Sequence, residues 1–188
     1  KNTILERDEE NNVYAYQYGK GYRVNQQRGL IAQGLFRDYD DIRNSPKQSW
    51  GTVQPGDIKY KDQNDDNVLD EKDLIHMKAS AYPDFNYGLK LGVEWKGIFL
   101  NTMFQGVAGY KQYISDSYSL ENGTLQRFQD YHLTDTWTPE NPNAAYPRIK
   151  ITPSSDNNRL KSTFWLRDNS FVRWRYINIG YRLPQSLI

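Results

Sequence analysis

The chain has 188 residues, enough for one domain with a sizeable core. Its 24 Lys and Arg nearly balance its 23 Asp and Glu, so a net charge of +1 provides no field that would attract nucleic acid. The absence of cysteine excludes disulfides and thiolate metal sites. Mean hydropathy is low, at -0.89, yet 14% of the residues are aromatic. This combination predicts a β-rich chain whose strands alternate apolar and polar residues, rather than a disordered one.

Two short elements are predicted in the first third of the chain. Residues 38–44 have the composition of a short helix, which Ser45-Pro46 ends. Residues 57–61 alternate, with Ile58 and Tyr60 on one side, as a short strand does.

An acidic segment at residues 57–73 contains the spacing of a calcium-binding loop. The expected ligands, at loop positions 1, 3, 5, 7, 9 and 12, are Asp62, Asn64, Asp66, Val68 (through its carbonyl), Asp70 and Asp73. Asn67 stands where such loops have glycine, and asparagine tolerates the left-handed backbone conformation needed there. The flanks lack helices and Asp73 is shorter than the usual Glu, so an Asp- and Asn-rich solvated turn is the alternative. The sequence predicts a structural Ca²⁺ site.

The clearest periodicity lies in residues 85–107. Apolar and polar residues alternate over residues 85–95, and again over residues 98–107. Lys96-Gly97 separates the two runs as a tight turn. A long β-hairpin with one apolar face is therefore predicted.

A third strand is predicted over residues 171–183, closed by Pro184. Its last apolar residues share one face, but Val172 and Trp174 are out of phase with them. A β-bulge or a change of environment is therefore expected near Arg175.

Residues 108–163 form a long stretch without sustained periodicity, which indicates a functional loop. Within it, Trp137 and Tyr146 flank a proline-rich segment. Aromatic rings there could bind a substrate by stacking, or could fix the loop to the scaffold, and the second role is favoured.

No pattern in the chain indicates catalysis. His76 and His132 are the only histidines and lack metal-binding spacing, so both are expected to be surface residues. Nucleophile-elbow, phosphate-loop and dinucleotide motifs are absent. The chain is not expected to be an enzyme.

An ordered series of short motifs resembles the SusC/RagA family of TonB-dependent outer-membrane transporters and covers nearly the whole chain. The motifs are GLIAQGLF (29–36), PGDIKYKDQNDDNVLDEKD (55–73), PDFNYG (83–88), FQG (104–106), WTPENP (137–142), STFWLRD (162–168) and NIGY (178–181).

This resemblance implies an all-β fold made of antiparallel strands of a large transmembrane β-barrel, of which residues 1–188 would be an internal part toward the C-terminal end. The plug domain and the final strands would lie outside it. The implied role is import of oligosaccharides or peptides across the outer membrane of Bacteroidetes. A SusD-like surface lipoprotein would cap the barrel, and TonB would act through the missing N-terminal region.

The hairpin predicts how the chain lies in such a barrel. Short turns face the periplasm and long loops face outward, so the Lys96-Gly97 turn is expected to be periplasmic and residues 57–73 and 108–163 extracellular. The residues expected to face outer-membrane lipid are Leu89, Leu91, Val93, Leu100 and Phe104. Those expected to face the lumen are Lys90, Glu94, Asn101 and Gln105.

Two rival interpretations fit the same sequence. One is a soluble extracellular β-module that calcium stabilises and that binds glycan. The other is a fragment of a carbohydrate-active enzyme, although no pair of carboxylates stands out as catalytic.

Overall fold

The computed structural model describes residues 3–6, 14–24, 26–77, 79, 82–114, 130–149 and 157–184. The chain divides into two compact units. The first, called here the loop unit, contains Lys1–Ala79 and Tyr113–Arg167. The second, called the sheet unit, contains Ser80–Gln112 and Asp168–Ile188.

The loop unit is built from short elements. Its strands are β1 (Arg28–Gly29), β2 (Ala32–Leu35), β3 (Lys47–Gln48), β4 (Ile58–Tyr60), β5 (Val68–Leu69) and β6 (Ile75–His76). Its α-helices are α1 (Tyr39–Arg43) and α2 (Asp130–Thr134), and single 3-10 turns occur at Ala15–Gln17, Glu71–Asp73, Asn157–Arg159 and Thr163–Trp165. Strand β2 pairs with β4 and β1 with β6, both antiparallel, whereas β3 and β5 are parallel.

A small apolar core holds the loop unit together. Its buried members are Leu30, Ile58, Tyr60, Leu69 and Trp165. The predicted strand at residues 57–61 is confirmed, since β4 alternates with Ile58 and Tyr60 buried and Lys59 half-buried. Trp165 reaches this core from a segment about a hundred residues later in the chain.

Helix α1 confirms the short helix predicted at residues 38–44. The Asp38 carboxylate caps its start by accepting a hydrogen bond from the Asp41 N–H at 2.7 Å. The backbone N–H of Asn44 closes its end on the Asp40 carbonyl.

The sheet unit is a three-stranded antiparallel sheet. Strands β7 (Phe85–Trp95) and β8 (Ile98–Ala108) form the predicted hairpin, and β11 (Phe171–Tyr181) pairs with the other edge of β8. The division between the two units falls within β9 (Lys111–Tyr113) and β10 (Leu166–Asp168).

The hairpin turns in two residues. Lys96 and Gly97 have φ values of 48° and 86°, and Trp95 is the partner of Ile98. Two positive φ values are the signature of a type I′ turn, whose twist matches that of the strands it joins.

The bulge expected near Arg175 is also confirmed. Trp174 is the partner of Phe104 and Tyr176 of Met103, so Arg175 is an extra residue in β11. Because of this extra residue, Trp174 and Ile177 lie on the same face of the sheet.

Within the described residues, no helix has the length and apolar character that crossing a membrane requires.

Candidate functional site: a two-faced sheet and an acidic loop

One face of the sheet unit is almost entirely apolar, and is called here the apolar face. The strand registers place on it Phe85, Tyr87, Leu89, Leu91, Val93 and Trp95 of β7, Ile98, Leu100, Thr102, Phe104, Gly106 and Ala108 of β8, and Val172, Trp174, Ile177, Ile179 and Tyr181 of β11. The side chains that β7 and β11 contribute are 44% to 68% exposed. A continuous apolar surface of this kind marks a site of contact with a membrane or a partner.

The opposite face, called here the polar face, is mixed in character. It carries Asn86, Gly88, Lys90, Gly92, Glu94, Phe99, Asn101, Met103, Gln105, Val107, Phe171, Arg173, Tyr176, Asn178 and Gly180. Glu94 is paired with Arg182, with 2.8 Å between Oε1 and Nη1. The predicted division of residues between the two faces of the hairpin is thus confirmed.

Aromatic residues mark both ends of the apolar face. Trp95 and Tyr181 lie beside the hairpin turn, and Phe85 and Tyr87 lie at the other end of the hairpin. Aliphatic side chains dominate between them. An apolar band between two aromatic girdles is the surface pattern of a transmembrane barrel strand.

The acidic loop is organised around Asp62. Its Oδ1 accepts hydrogen bonds from the backbone N–H groups of Asn64 and Asp65, and its Oδ2 accepts one from Asn67 at 2.7 Å. Asn67 has a φ of 63°, so the expectation that it adopts the left-handed conformation is confirmed. Loop position 6 is therefore folded as in a calcium-binding loop.

The carboxylates of Asp66 and Asp70 lie beside the side-chain ammonium group of Lys72. The ammonium nitrogen of Lys72 lies 3.8 Å from Asp66 Oδ2 and 3.5 Å from Asp70 Oδ2. These two carboxylates raise the pKa of Lys72. The Val68 N–H and the Asn64 side-chain amide lower the pKa of Asp66.

The Asp73 carboxylate joins the start of the acidic loop to its end. Its Oδ1 accepts from the Gln63 N–H at 2.7 Å and its Oδ2 from the Asp70 N–H at 2.8 Å. Burial raises the pKa of Asp73, the two N–H groups lower it, and the carboxylates of Asp62 and Asp70 raise it, with a net rise.

The loop's other neighbours come from the start of the chain. The Tyr16 hydroxyl donates to the Lys72 carbonyl at 2.8 Å, and the Asn64 amide donates to the Tyr14 hydroxyl. Burial and the Asp73 carboxylate raise the pKa of Tyr16 to about 12.

The predicted ligands therefore lie in one loop, but their oxygens mainly accept N–H groups. Among the residues that the structure describes, no three His, Cys, Asp or Glu side chains converge as a metal site requires. Val68 lies in β5, and the carbonyls on either side of it, those of Asn67 and Leu69, accept hydrogen bonds from the backbone N–H groups of Lys47 and Ser49. The donor chemistry suits Ca²⁺, whereas the arrangement is that of a loop closed by its own hydrogen bonds and by Lys72.

Trp137 and Tyr146 take part in the packing of the loop unit. The Trp137 ring covers Gly56, where an added Cβ would collide with it. Tyr146 packs against the core and lies 4.3 Å from the Tyr131 ring. This geometry suits the scaffold role; a stacking role in substrate binding stays a prediction.

The buried carboxylate of Asp57, which no sequence pattern singled out, connects distant segments of the loop unit by hydrogen bonds. Asp57 is fully buried, and its Oδ1 accepts from Arg148 Nε at 2.8 Å and from Asn158 Nδ2 at 3.0 Å. Its Oδ2 accepts from the backbone N–H of Gln54. Arg148 and Asn158 lie 91 and 101 residues from Asp57, so only the Pro-Gly-Asp turn signal was visible locally.

The expectation that both histidines lie at the surface is wrong. His76 is buried and stacks on Tyr22 with 4.2 Å between ring centroids. His132 is buried and lies 4.1 Å from the Tyr131 ring. Aromatic neighbours cover each ring, and spacing along the sequence does not reveal them.

Comparison with known sequences identifies TonB-dependent receptors. The chain matches no family model. It is 26% identical over 161 residues to TonB-dependent receptor P26 of Formosa agariphila, a match that covers 83% of this chain and 15% of that protein. It is 26% identical over 138 residues to TonB-dependent receptor P3 of the same organism, covering 73% of this chain and 13% of that protein. The chain thus spans only about a seventh of the length of these relatives.

Comparison with solved structures identifies the same fold. The RagAB peptide importer in its open-open state aligns with a TM-score of 0.59 and 22% identity, covering 93% of this chain and 18% of that one. Its closed-closed state aligns with a TM-score of 0.57 and 23% identity, covering 90% and 18%. The resemblance to TonB-dependent transporters of the SusC/RagA type and the partial, antiparallel all-β barrel fold are both confirmed.

Proposed function

We propose that this chain forms part of the barrel wall of a TonB-dependent transporter of the SusC/RagA type in the bacterial outer membrane. The observation that carries the proposal is the sheet unit, with its exposed apolar face and its polar opposite face. The proteins that the chain resembles are receptors and importers, in agreement with the prediction that it is not an enzyme.

The length and composition of the strands suit this role. Strands β7, β8 and β11 each have 11 residues, and a tilted strand needs about 9 to 11 to cross a bilayer. On this proposal the apolar face contacts lipid and the polar face lines the lumen. In water the same apolar face would favour aggregation.

The proposal also orients the chain. The two-residue turn at Lys96 and Gly97 faces the periplasm, because short turns lie on that side of outer-membrane barrels. The chain enters β7 and leaves β8 at the opposite end of the hairpin, so residues 57–73 and 108–163 lie on the extracellular side.

The proposed cargo is an oligosaccharide or a peptide, and the proposed partners are a SusD-like surface lipoprotein and TonB. Peptide import by RagAB, which shares the fold, makes peptides one candidate class. The TonB contact would belong to a part of the protein outside this segment.

Growth experiments test the transport role and its cargo. We expect a strain lacking the full-length protein to lose growth on at least one member of a panel of peptides and glycans. The full-length protein should restore growth, but only in cells that have functional TonB. Growth that is unaffected on every member of the panel, or restored without TonB, would contradict the proposal.

We also propose that the acidic loop binds Ca²⁺ as an extracellular brace. Asp66 and Asp70 support this, because both carboxylates are partly exposed and each has one oxygen within 4 Å of the Lys72 ammonium, the one cation near them among the described residues. Binding would replace that ammonium with a divalent ion of the hard kind that carboxylates prefer.

Substitution of both Asp66 and Asp70 by alanine tests the brace. In the full-length protein, Ca²⁺ should slow proteolysis of residues 57–73, and the double variant should lose this protection. The matched control is Asp40→Ala, which removes an exposed carboxylate outside the loop. Equal protection by Ca²⁺ in the parent and the double variant would reject the ligand assignment and favour a turn closed by hydrogen bonds alone.

A further inference from the structure

The β-bulge at Arg175 disturbs backbone hydrogen bonding in a strand whose side chains form part of the apolar face. An extra residue interrupts the ladder of backbone hydrogen bonds in β11. The interruption lies midway along β11, between Trp174 and Tyr176. The nearest residues of the apolar face on either side of it are Trp174 and Ile177. A bulge exposed to water can be hydrated, whereas a bulge facing hydrocarbon cannot.

Three groups meet at this bulge in a closed hydrogen-bond network. The Thr102 hydroxyl donates to the Tyr176 carbonyl at 2.8 Å. The Trp174 indole N–H points at the same pair, 2.6 Å from the Thr102 oxygen and 3.0 Å from the Tyr176 carbonyl. The hydroxyl thus both donates and accepts, and each polar group in the network has a partner.

Thr102 is more polar than the residues around it on the apolar face. Its partners across the sheet are Leu91 and Ile177, and it is the only hydroxyl-bearing aliphatic residue among the apolar-face positions. The Trp174 ring is held over the sheet by stacking on Phe104, with 5.8 Å between ring centroids and an interplanar angle of 14°. This stacking aims the indole N–H at the bulge.

We infer that Thr102 and Trp174 form a polar latch that satisfies the Tyr176 carbonyl at the Arg175 bulge within the membrane, and so maintains the change of phase in β11. The inference rests on the proposed function, because only a lipid-facing bulge requires the protein to supply its own partners. It goes beyond that function by assigning a role to two particular side chains.

The change of phase decides which side Arg173 occupies. With the bulge, Arg173 is the partner of Gln105 on the polar face. If the register of residues 176–181 continued without the bulge, Arg173 would lie opposite Gly106 on the apolar face, and Trp174 would move to the polar face. The latch therefore supports an arrangement that keeps an arginine out of lipid.

Substitution of Thr102 in the full-length transporter tests the latch. Valine is nearly isosteric and more apolar, so at an ordinary lipid-facing position Thr→Val should leave stability unchanged or raise it. Here we expect Thr102→Val to lower the temperature at which the assembled barrel loses its compact gel mobility, or to prevent assembly. Thr102→Ser, which retains the hydroxyl, should assemble and remain close to the parent. A Thr102→Val barrel as stable as the parent, or an equal loss in Thr102→Ser, would overturn the inference.

The indole provides a second test. Trp174→Phe removes the N–H and should lower the same transition temperature more than Trp95→Phe, which changes another exposed tryptophan of the apolar face. Because Thr102 and Trp174 share one hydrogen bond, the losses in the double variant should be less than additive. Additive losses, or equal effects at Trp174 and Trp95, would reject the network.

A pair of arginine substitutions separates failure of the latch from failure of the proposed function. Ile179→Arg on the apolar face should block barrel assembly, while Asn178→Arg on the polar face should not. Equal behaviour of this pair would refute the lipid-facing wall and the latch with it. The expected behaviour of the pair, together with an unaffected Thr102→Val barrel, would refute the latch alone.

Discussion

In the loop unit, polar side chains provide hydrogen-bond partners for the backbone of a strand. Strand β4 has β2 on one edge, and on the other edge its Ile58 N–H donates to Asn158 Oδ1 at 2.8 Å. The Ile58 carbonyl accepts from Asn157 Nδ2 at 2.9 Å. Two buried amides thus take the place of a neighbouring strand, and Asp57 joins one of them, Asn158, to Arg148.

Asp57→Ala is expected to open this part of the loop unit. Removing the fully buried carboxylate leaves the Arg148 guanidinium and the Asn158 amide without their acceptor, which should cost about 3 kcal/mol. Native-state hydrogen exchange at the Ile58 and Arg148 amides measures the loss directly. Glu140→Ala, at an exposed position, is the control and should change the same protection by less than about 0.5 kcal/mol. Equal protection in both variants would show that Asp57 is dispensable.

The Asp41 carboxylate gives the region around α1 a dependence on pH. Burial opposes ionisation of Asp41, but the Lys59 ammonium at 2.7 Å and the Arg37 N–H outweigh it and lower its pKa below 3.8. A lowered pKa in the folded state stabilises that state above pH 3.8, and the stabilisation is lost as pH falls through the lowered value.

Asp41→Asn should therefore weaken residues 37–44 at neutral pH and not at the lowest pH. Hydrogen exchange of this segment, compared between the parent and the variant at each pH, should show a difference of about 0.5 to 1 kcal/mol at pH 7. The difference should vanish on acidification. A difference that is constant with pH would mean that the ion pair contributes nothing.

At the scale of the elements, the sequence was most informative where the strands are long. The hairpin was predictable because period-two alternation over 11 residues determines both the strand and its faces, and because Lys96-Gly97 suits a two-residue turn. The bulge was predictable because Val172 and Trp174 could join the apolar face in no other way. The two- and three-residue strands of the loop unit were mostly missed, since so few residues carry no period and depend on distant partners.

The hairpin turn supplies a test at this scale. Gly97 has a φ of 86°, and an added Cβ would lie 2.9 Å from the Arg182 carbonyl oxygen. Gly97→Val should cost roughly 1 to 3 kcal/mol and reduce the yield of assembled barrel. Lys96→Asn should be neutral or favourable, because asparagine is well suited to a left-handed position in this turn. Equal yields from the two variants would contradict the type I′ assignment.

At the scale of the whole molecule, the loop unit shows what sequence patterns cannot provide. Trp165 completes a core whose other buried members come from residues 30–69, and the Asp57 network also joins distant segments. In the acidic loop, the left-handed Asn67 was predictable from its position. The insertion of Lys72 between Asp66 and Asp70 was not, because it depends on the path of a long side chain.

The proposed role of this chain in a transporter rests on the two faces of the sheet unit. The similar sequences and structures are far longer than this chain, and the segment corresponds to less than a fifth of each. Among the residues that the structure describes, the outer edges of β7 and β11 have no strand partner, and under the proposed function further barrel strands would pair with them. The proposed role therefore requires that the apolar face meets lipid and the polar face meets the lumen.

A cysteine scan of β7 in the full-length protein, in native outer membranes, tests this most directly. The segment contains no cysteine, so labelling above the unsubstituted protein reports the introduced thiol. A charged, membrane-impermeant thiol reagent should label cysteines at Lys90, Gly92 and Glu94 through the lumen, and should fail to label those at Leu89, Leu91 and Val93. Equal labelling of the two sets, or the reverse alternation, would contradict the claim that this sheet is the wall of a transmembrane barrel.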